Sequence, residues 1–454
     1  MEVTSSFLVL LEVFRPIFTA PTYQTFIAIA TGWVITHRHR YITDIIFSGG
    51  NLHNGHWSNY HRFFSHAAWD IDVLSMYLAK LVATIIAPGS QLLWAVDDTL
   101  CCKRGLTLYG AGMHHDPLIS SRAKPLVSWG HDWVVLCLII VHPFWAPTKV
   151  FALPVLFRLY RNHQGLTKGK KSKAKAQKDP NHRSRPQLAV ELIHLAASWF
   201  PHISLIVTGD SAYGGKSVLS HLPANVHLIS KVHAKGALYA LPPVPTPGVK
   251  GQGRPRKKGD RLPGMAAWAL DATKPWTQLT FDQFGLHATL EVKTQKALYY
   301  KSGGTRLLTI VLVHDVLGKR PDQMFYCTQL EWSVTQILST YAYRWAIECT
   351  FENCKQYMGL EDPANRLPKA VQRTAPIALI LYSLIVVWFH QTGHTFVQFP
   401  DRPWYQAKQE PSFADMLTTL RRLSCEEKTA QALPKQSRIK TWLTQLTELF
   451  TRVG

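Results

Sequence analysis

The spacing of apolar residues changes character several times along the chain. Residues 1 to about 90 repeat apolar side chains at i, i+3 and i+4, the period of a helix with one buried face. From position 91 short apolar runs replace that period: QLLWAVDDTL (91–100), PLVSWGHDWVVLCLII (125–140), KVFALPVLF (149–157), HISLIVTGDSAYGGK (202–216) and VHLISKV (226–232). Each predicts a strand, and QLAVELIHLAASWF (187–200) predicts a helix among them. Residues 236–305 turn rich in Pro, Gly, Lys and Arg, with alternating runs such as HATLEVKTQKALYY (287–300). RLLTIVLVHDV and QMFYCTQL then predict two further strands before the helical stretch YAYRWAIECTFENCK (341–355). Strands interleaved with helices predict an α/β fold. The expected units are a helical DNA-binding region 1–90, a mixed-sheet core 91–235 and 306–395, a β-rich basic insertion 236–305, and a helical tail 396–454.

Two apolar runs change that picture little. VVLCLIIV (134–141) is stopped by His142-Pro143, and PIALILYSLIVVWF (376–389) falls short of the roughly 20 residues a membrane span needs. Both are expected in the core. The N-terminus carries Glu2 and no basic stretch, a poor signal peptide. Seven cysteines, with Cys101 and Cys102 adjacent, suit neither a disulfide framework nor paired zinc ligands, so a reducing cytoplasm is expected.

Charge changes it more. Lys and Arg number 50 against 29 acids, a net charge of +21, which favours a polyanionic partner. Nucleic acid comes before an anionic membrane surface, because the bases are dispersed and no basic amphipathic anchor is visible. Lys168, Lys170, Lys171, Lys173 and Lys175 stand in a polar loop expected to add sequence-independent affinity for DNA. Arg254, Arg256, Lys257 and Lys258, in GQGRPRKKG, form either a minor-groove hook or a solvated basic loop. HNGHWSNYHRFFSHAAWD (53–70) predicts an aromatic helix with His and Arg on its wet side in preference to a zinc site.

The chemistry is in the acids. Asp97 stands at the end of one predicted core strand, Asp210 follows another, and Glu348 lies on the later helix. Three converging carboxylates repel one another unless protonated or bound to cations, and two divalent ions would offset them. Singly, each has a bland reading: a turn at Asp97-Asp98-Thr99, a helix cap at Asp210, a solvated ridge on the helix. On that helix Tyr341, Arg344, Glu348, Glu352 and Lys355 project to one side, while Trp345, Ile347, Phe351 and Cys354 are expected mostly on another. Helix geometry alone does not separate Glu348 from Glu352.

Tyr341, Arg344, Glu348 and Lys355 meet the pattern Y-x2-R-x3-E-x6-K at every step. With VDDT (96–99) and GDSAYG (209–214) before it, the chain resembles the DDE transposases of bacterial insertion sequences over about residues 55–390. The resemblance implies a ribonuclease H-like core in which Asp97, Asp210 and Glu348 hold two Mg²⁺ (Mn²⁺ as substitute). It also implies Tyr341, Arg344 and Lys355 handling DNA, and a homodimer assembled on double-stranded element ends in a bacterial cytoplasm. Trp268, Trp276 and Trp332 are available as an aromatic wedge. A structure-specific nuclease on the same core, or a catalytically inactive DNA-binding relative, is the alternative.

Overall fold

The structure is a computed structural model that describes residues 3–432 apart from 51–55, 122, 163–181, 234, 244–253, 284–285, 319 and 400–407. Lys168 to Lys175 lie outside the described residues.

Five helices open the chain: α1 (Ser5–Leu11), α2 (Ala20–Ile35), α3 (Ile42–Gly49), α4 (Ser58–Ser65) and α5 (Ile71–Ala83). α5 starts where the Asp70 carboxylate accepts from the Asp72 and Val73 amides. α4 turns Tyr60, Phe63 and Phe64 inward and leaves His61 and Arg62 exposed. The sheet follows with β1 (Leu92–Cys102), β2 (Gly112–His115), β3 (Val127–Val141), β4 (Val150–Tyr160), helix α6 (Arg185–Trp199), β5 (Leu205–Gly209), the short α7 (Lys216–Leu219) and β6 (Val226–Lys231). α6 begins at a reciprocal Ser184–Gln187 capping box with Pro186 in its first turn.

β4, β3, β1, β5 and β6 lie side by side in that order. β1, β3 and β4 pair antiparallel, while β5 and β6 run parallel to β1. This is a ribonuclease H-like mixed sheet, as expected. Beyond β6 the same sheet continues as an antiparallel meander, in the order β10 (Gln323–Cys327), β9 (Leu307–His314), β8 (Leu286–Leu298) and β7 (Thr277–Gln283). Between β6 and β10 the chain also forms the short helices α8 (Met265–Leu270) and α9 (Tyr300–Gly303). α10 (Val334–Tyr343), α11 (Trp345–Tyr357), α12 (Pro368–Gln391) and α13 (Phe413–Ala432) complete the described elements.

Two expectations need correction. β1 pairs with β3 as far as Cys102, so Asp97 stands mid-strand and not at a strand end. The apolar run at 376–389 belongs to a 24-residue helix, because Pro368 opens α12 eight residues earlier. Among the described residues α12 is long and apolar enough to cross a membrane, but 94% of its apolar window is buried inside the fold. It packs on β4, where the Ser383 hydroxyl donates to the Pro154 carbonyl (2.8 Å). Arg373 ties it to the N-terminal helices by donating to the Phe63, Phe64 and Ala67 carbonyls while lying 4.1 Å over the Trp69 ring. Trp33, Trp94, Trp133 and Trp388 are all fully buried in one continuous core.

Candidate active site

Neighbouring residues of a strand face opposite sides of the sheet, and β1 uses this to separate two acids. Asp97 faces the junction of α10 and α11; Asp98 faces α6. The stretch 341–355 is not one uninterrupted helix: it is two segments meeting at Arg344, whose backbone stays helical (φ −53°, ψ −31°).

Arg344 is the centre of the first face. Its Nη1 donates to Asp97 Oδ2 (2.5 Å) and its Nη2 to Glu348 Oε1 (3.0 Å), so one guanidinium joins the sheet to α11. Burial pushes the Asp97 carboxyl up to about 7; Arg344 opposes this, and the charges of Asp98 and Asp210 add to it. Asp210 follows the parallel strand β5, and its Oδ1 accepts from the Ala212 and Tyr213 amides, so the loop it anchors fixes its carboxylate. Its charge acts on Asp97, Arg344, Tyr341 and Lys231. The Tyr341 ring packs 4.7 Å from Phe325, with the Arg344 guanidinium 5.9 Å and Lys231 Nζ 5.7 Å from its centroid. The Tyr341 hydroxyl and Arg344 Nε are buried without a hydrogen-bond partner among the described residues.

On the second face the Tyr213 hydroxyl donates to Asp98 Oδ1 (2.5 Å), and Arg185 Nε lies 3.4 Å from Asp98 Oδ2. Arg185 also pairs with the buried Asp132 of β3 and lies 4.5 Å over the Tyr160 ring. Burial pushes both Asp98 and Asp132 upward.

The predicted residues therefore sit as follows. Asp97, Asp210, Glu348, Arg344 and Tyr341 share one neighbourhood. Lys355, two turns along α11, donates to the Leu100 carbonyl (2.7 Å) and lies 3.9 Å from Glu361, so its acidic neighbour is Glu361 and not Glu352. Arg254, Arg256 and Lys257 are exposed around a cavity of about 530 Å³, in which Lys258 Nζ stacks 3.6 Å over Tyr239 and 4.9 Å from Tyr300. Trp268 is buried, held where Lys293 donates to its carbonyl, so its ring is no free wedge. Trp345 is 57% exposed, because four residues after Tyr341 it falls on the polar side of the projection and not on the apolar seam. Lys231, at the end of the strand beside β5, was missed; a base closing a core strand next to Asp210 was the available signal.

Carboxylates are hard oxygen donors, which suits Mg²⁺ or Mn²⁺. With Arg344 between Asp97 and Glu348, no three His, Cys, Asp or Glu side chains close into a single ligand cluster among the described residues. The donor chemistry of the site fits such ions; Arg344 now hydrogen-bonds to two of the three acids.

A ribonuclease H-like sheet with acids on the first strand, after the parallel strand beside it and on a later helix defines a class of phosphodiester-cleaving enzymes. The match to known families agrees: residues 50–301 match the DDE superfamily endonuclease family, and the chain belongs to it. Enzymes of this superfamily are nucleases that act on DNA and use divalent cations such as Mg²⁺. No curated protein matches the chain.

Proposed function

We propose that the chain is a DNA transposase that cuts at the ends of its insertion sequence and joins the freed 3′-OH ends to target DNA. The observation that carries this reading is the shared guanidinium: Arg344 ties Asp97 to Glu348, with the Asp210 charge beside them. Asp97, Asp210 and Glu348 would hold two Mg²⁺, or Mn²⁺. The chemistry such ions would supply there is a lower pKa for an attacking water or hydroxyl and stabilisation of the leaving oxygen.

The remaining roles fall to side chains. Burial pushes the Asp97 carboxyl up to about 7 in the metal-free fold, and a cation held there would favour its charged form. The planar Arg344 fork suits two oxygens of a phosphate as well as it suits two carboxylates. Tyr341 sets a buried hydroxyl beside Arg344, Lys231 adds a charge over its ring, and Lys355 adds another two turns beyond Glu348 on α11. Exposed Arg254, Arg256 and Lys257, with the lysines of 168–175, add backbone affinity along the duplex. Two copies, one per end, would assemble on the element.

The test is single-turnover reaction of the purified chain, with Mg²⁺, on duplexes ending in the inverted repeats that flank its gene. A cut at the repeat end, followed by joining of that end to a plasmid, is the expected result. Cutting without joining supports the structure-specific nuclease, and binding without cutting supports an inactive DNA-binding relative.

A further inference from the structure

A cavity of about 700 Å³ opens between the loop joining α2 to α3 and the C-terminal end of α11. One wall is the run His37-Arg38-His39-Arg40; Lys355 and Asp362 also line it. The loop is built and not loose. Arg40 is 7% exposed; it donates through Nη1 to the Arg38 carbonyl (2.7 Å) and through Nη2 to the Tyr357 carbonyl (2.6 Å). Its backbone amide donates to Asp362 Oδ2 (2.8 Å). Gly359, at φ +62°, keeps the place open, since a Cβ there would run into the Asp362 carboxylate and the Arg40 side chain. Behind the wall Arg421 donates to the Val34 and Thr36 carbonyls (2.8 Å each) and lies 3.4 Å from His37 Nδ1.

Both buried guanidiniums thus spend donors on main-chain carbonyls, and neither forms an ion pair with a carboxylate among the described residues. Arg40 Nε is buried with no hydrogen-bond partner among the described residues. The electrostatics agree in sign: burial and the neighbouring Arg40 push Arg421 down to about 9, and burial with both arginines pushes His37 down to about 4. Asp44 also lines the cavity, and Asp362 compensates Arg40 in part; against these two acids stand Arg40, Lys355, Arg421 behind the wall and the exposed Arg38 at the rim, so the balance is positive.

We propose that this cavity is a phosphodiester site that holds the backbone of the DNA strand leading away from the carboxylates, so that the N-terminal helical region shares the DNA held by α11. This rests on the reading that DNA is cut at Asp97, Asp210 and Glu348. Lys355 lies seven residues beyond Glu348, roughly 10 Å along the helix. At about 3.4 Å of advance per nucleotide, the phosphate bound here is about three nucleotides from the cut.

The experiment is a salt titration of duplex binding, using the full chain and a 30-base-pair duplex followed by fluorescence anisotropy. Arg38→Gln is the variant, because Arg38 is exposed and its side chain caps no helix end; Arg15→Gln, exposed beside Glu12, is the charge-matched control. The expected result is a log–log salt slope flatter by about 1 for Arg38→Gln and unchanged for Arg15→Gln, at about 0.9 per phosphate contact. Equal slopes in all three proteins, or an equal change in both variants, overturn the proposal. A second arm measures thermal shift with inorganic phosphate. Stabilisation that Arg38→Gln removes, with the duplex slope unchanged, assigns the cavity to a free phosphate and also overturns it. Failure of this site leaves cleavage of end DNA in place, whereas failure of the parent reading shows as no cleavage with the slope difference intact.

Discussion

The two faces of β1 hold similar parts in different states. Each has an aspartate under an arginine: Asp97 under Arg344 on one side, Asp98 under Arg185 on the other. On the Asp98 face the arginine is also committed to Asp132, 1% exposed, and a tyrosine hydroxyl completes the set. On the Asp97 face the arginine shares itself with Glu348, 40% exposed, and a tyrosine hydroxyl goes unused beside it. The closed network is arranged to hold the strands β1 and β3 to α6. The open one leaves the Glu348 carboxylate facing solvent, with Asp97 and Arg344 behind it, where a substrate and cations could engage them. The aspartates do not make the difference, since Asp98 is 32% exposed and Asp97 18%; the faces differ in the third member, a buried Asp132 on one and an accessible Glu348 on the other.

The comparison breaks most visibly if activity does not follow the faces. Asp97→Asn, Asp210→Asn and Glu348→Gln should each lower single-turnover cleavage of end DNA by at least about 100-fold, the order expected when a reacting group is misplaced. Asp98→Asn should keep activity within about tenfold, because its side chain turns toward α6 and Tyr213. Equal loss from Asp98→Asn would move the ligand to the other face of β1.

Stability should show the reverse order. Removing Arg185 leaves Asp132 buried without its cation, so Arg185→Gln should cost about 3 kcal/mol in urea unfolding. Arg344→Gln should cost less, since Glu348 keeps access to water. If Arg344→Gln proves the more destabilising, the open face is structural.

A smaller effect sharpens the same contrast through pH. The folded Asp97 carboxyl sits near 7 and the unfolded one near 3.8, so the native state binds that proton more tightly. Its contribution to stability is therefore full below about pH 4 and lost as pH rises through 7. At about 1.4 kcal/mol per unit the ceiling is about 4 kcal/mol, and partial exposure brings the expectation to about 1–2 kcal/mol. Asp97→Asn should consequently be more stable than the parent at pH 8 in the presence of a chelator, and equal to it at pH 4. A parent and variant with parallel pH profiles would show that burial does not hold the proton.

Much of this arrangement was legible in the chain. The strands announced themselves as apolar runs and the acids by their place beside them, because burial on both faces forces continuous hydrophobicity around any exception. The mid-strand place of Asp97 was not legible, since the polar Thr99 masks how far β1 continues and only pairing with β3 carries it to Cys102. Nor was the role of Arg185 and Asp132, which lie 53 residues apart in sequence and meet only in the fold. The His37–Arg40 run went unremarked because nothing in a linear pattern brings it to Lys355.

The smallest expected effect concerns Glu352. Sequence spacing offers it to Lys355 three residues on, a surface pair worth about 0.2–0.5 kcal/mol. The fold gives Lys355 other partners: it donates to the Leu100 carbonyl and lies 3.9 Å from Glu361, while Glu352 is exposed. Glu352→Gln should then change cleavage and duplex affinity less than twofold. Glu361→Gln should change more, because Glu361 also accepts from the Cys102 amide (2.9 Å) where β1 ends, and its carbonyl takes the Lys103 ammonium (2.7 Å). Loosening that corner frees Lys355 from one side and should shift duplex affinity by a few-fold, read by anisotropy at fixed salt. Glu348→Gln in the same series fixes the scale, since it sits one turn from Glu352 and differs from it chiefly in touching Arg344. If Glu352→Gln abolishes cutting while Glu348→Gln still cuts, contact with Arg344 does not mark the reactive acid, and the open face of β1 extends one turn further along α11 than the fold indicates.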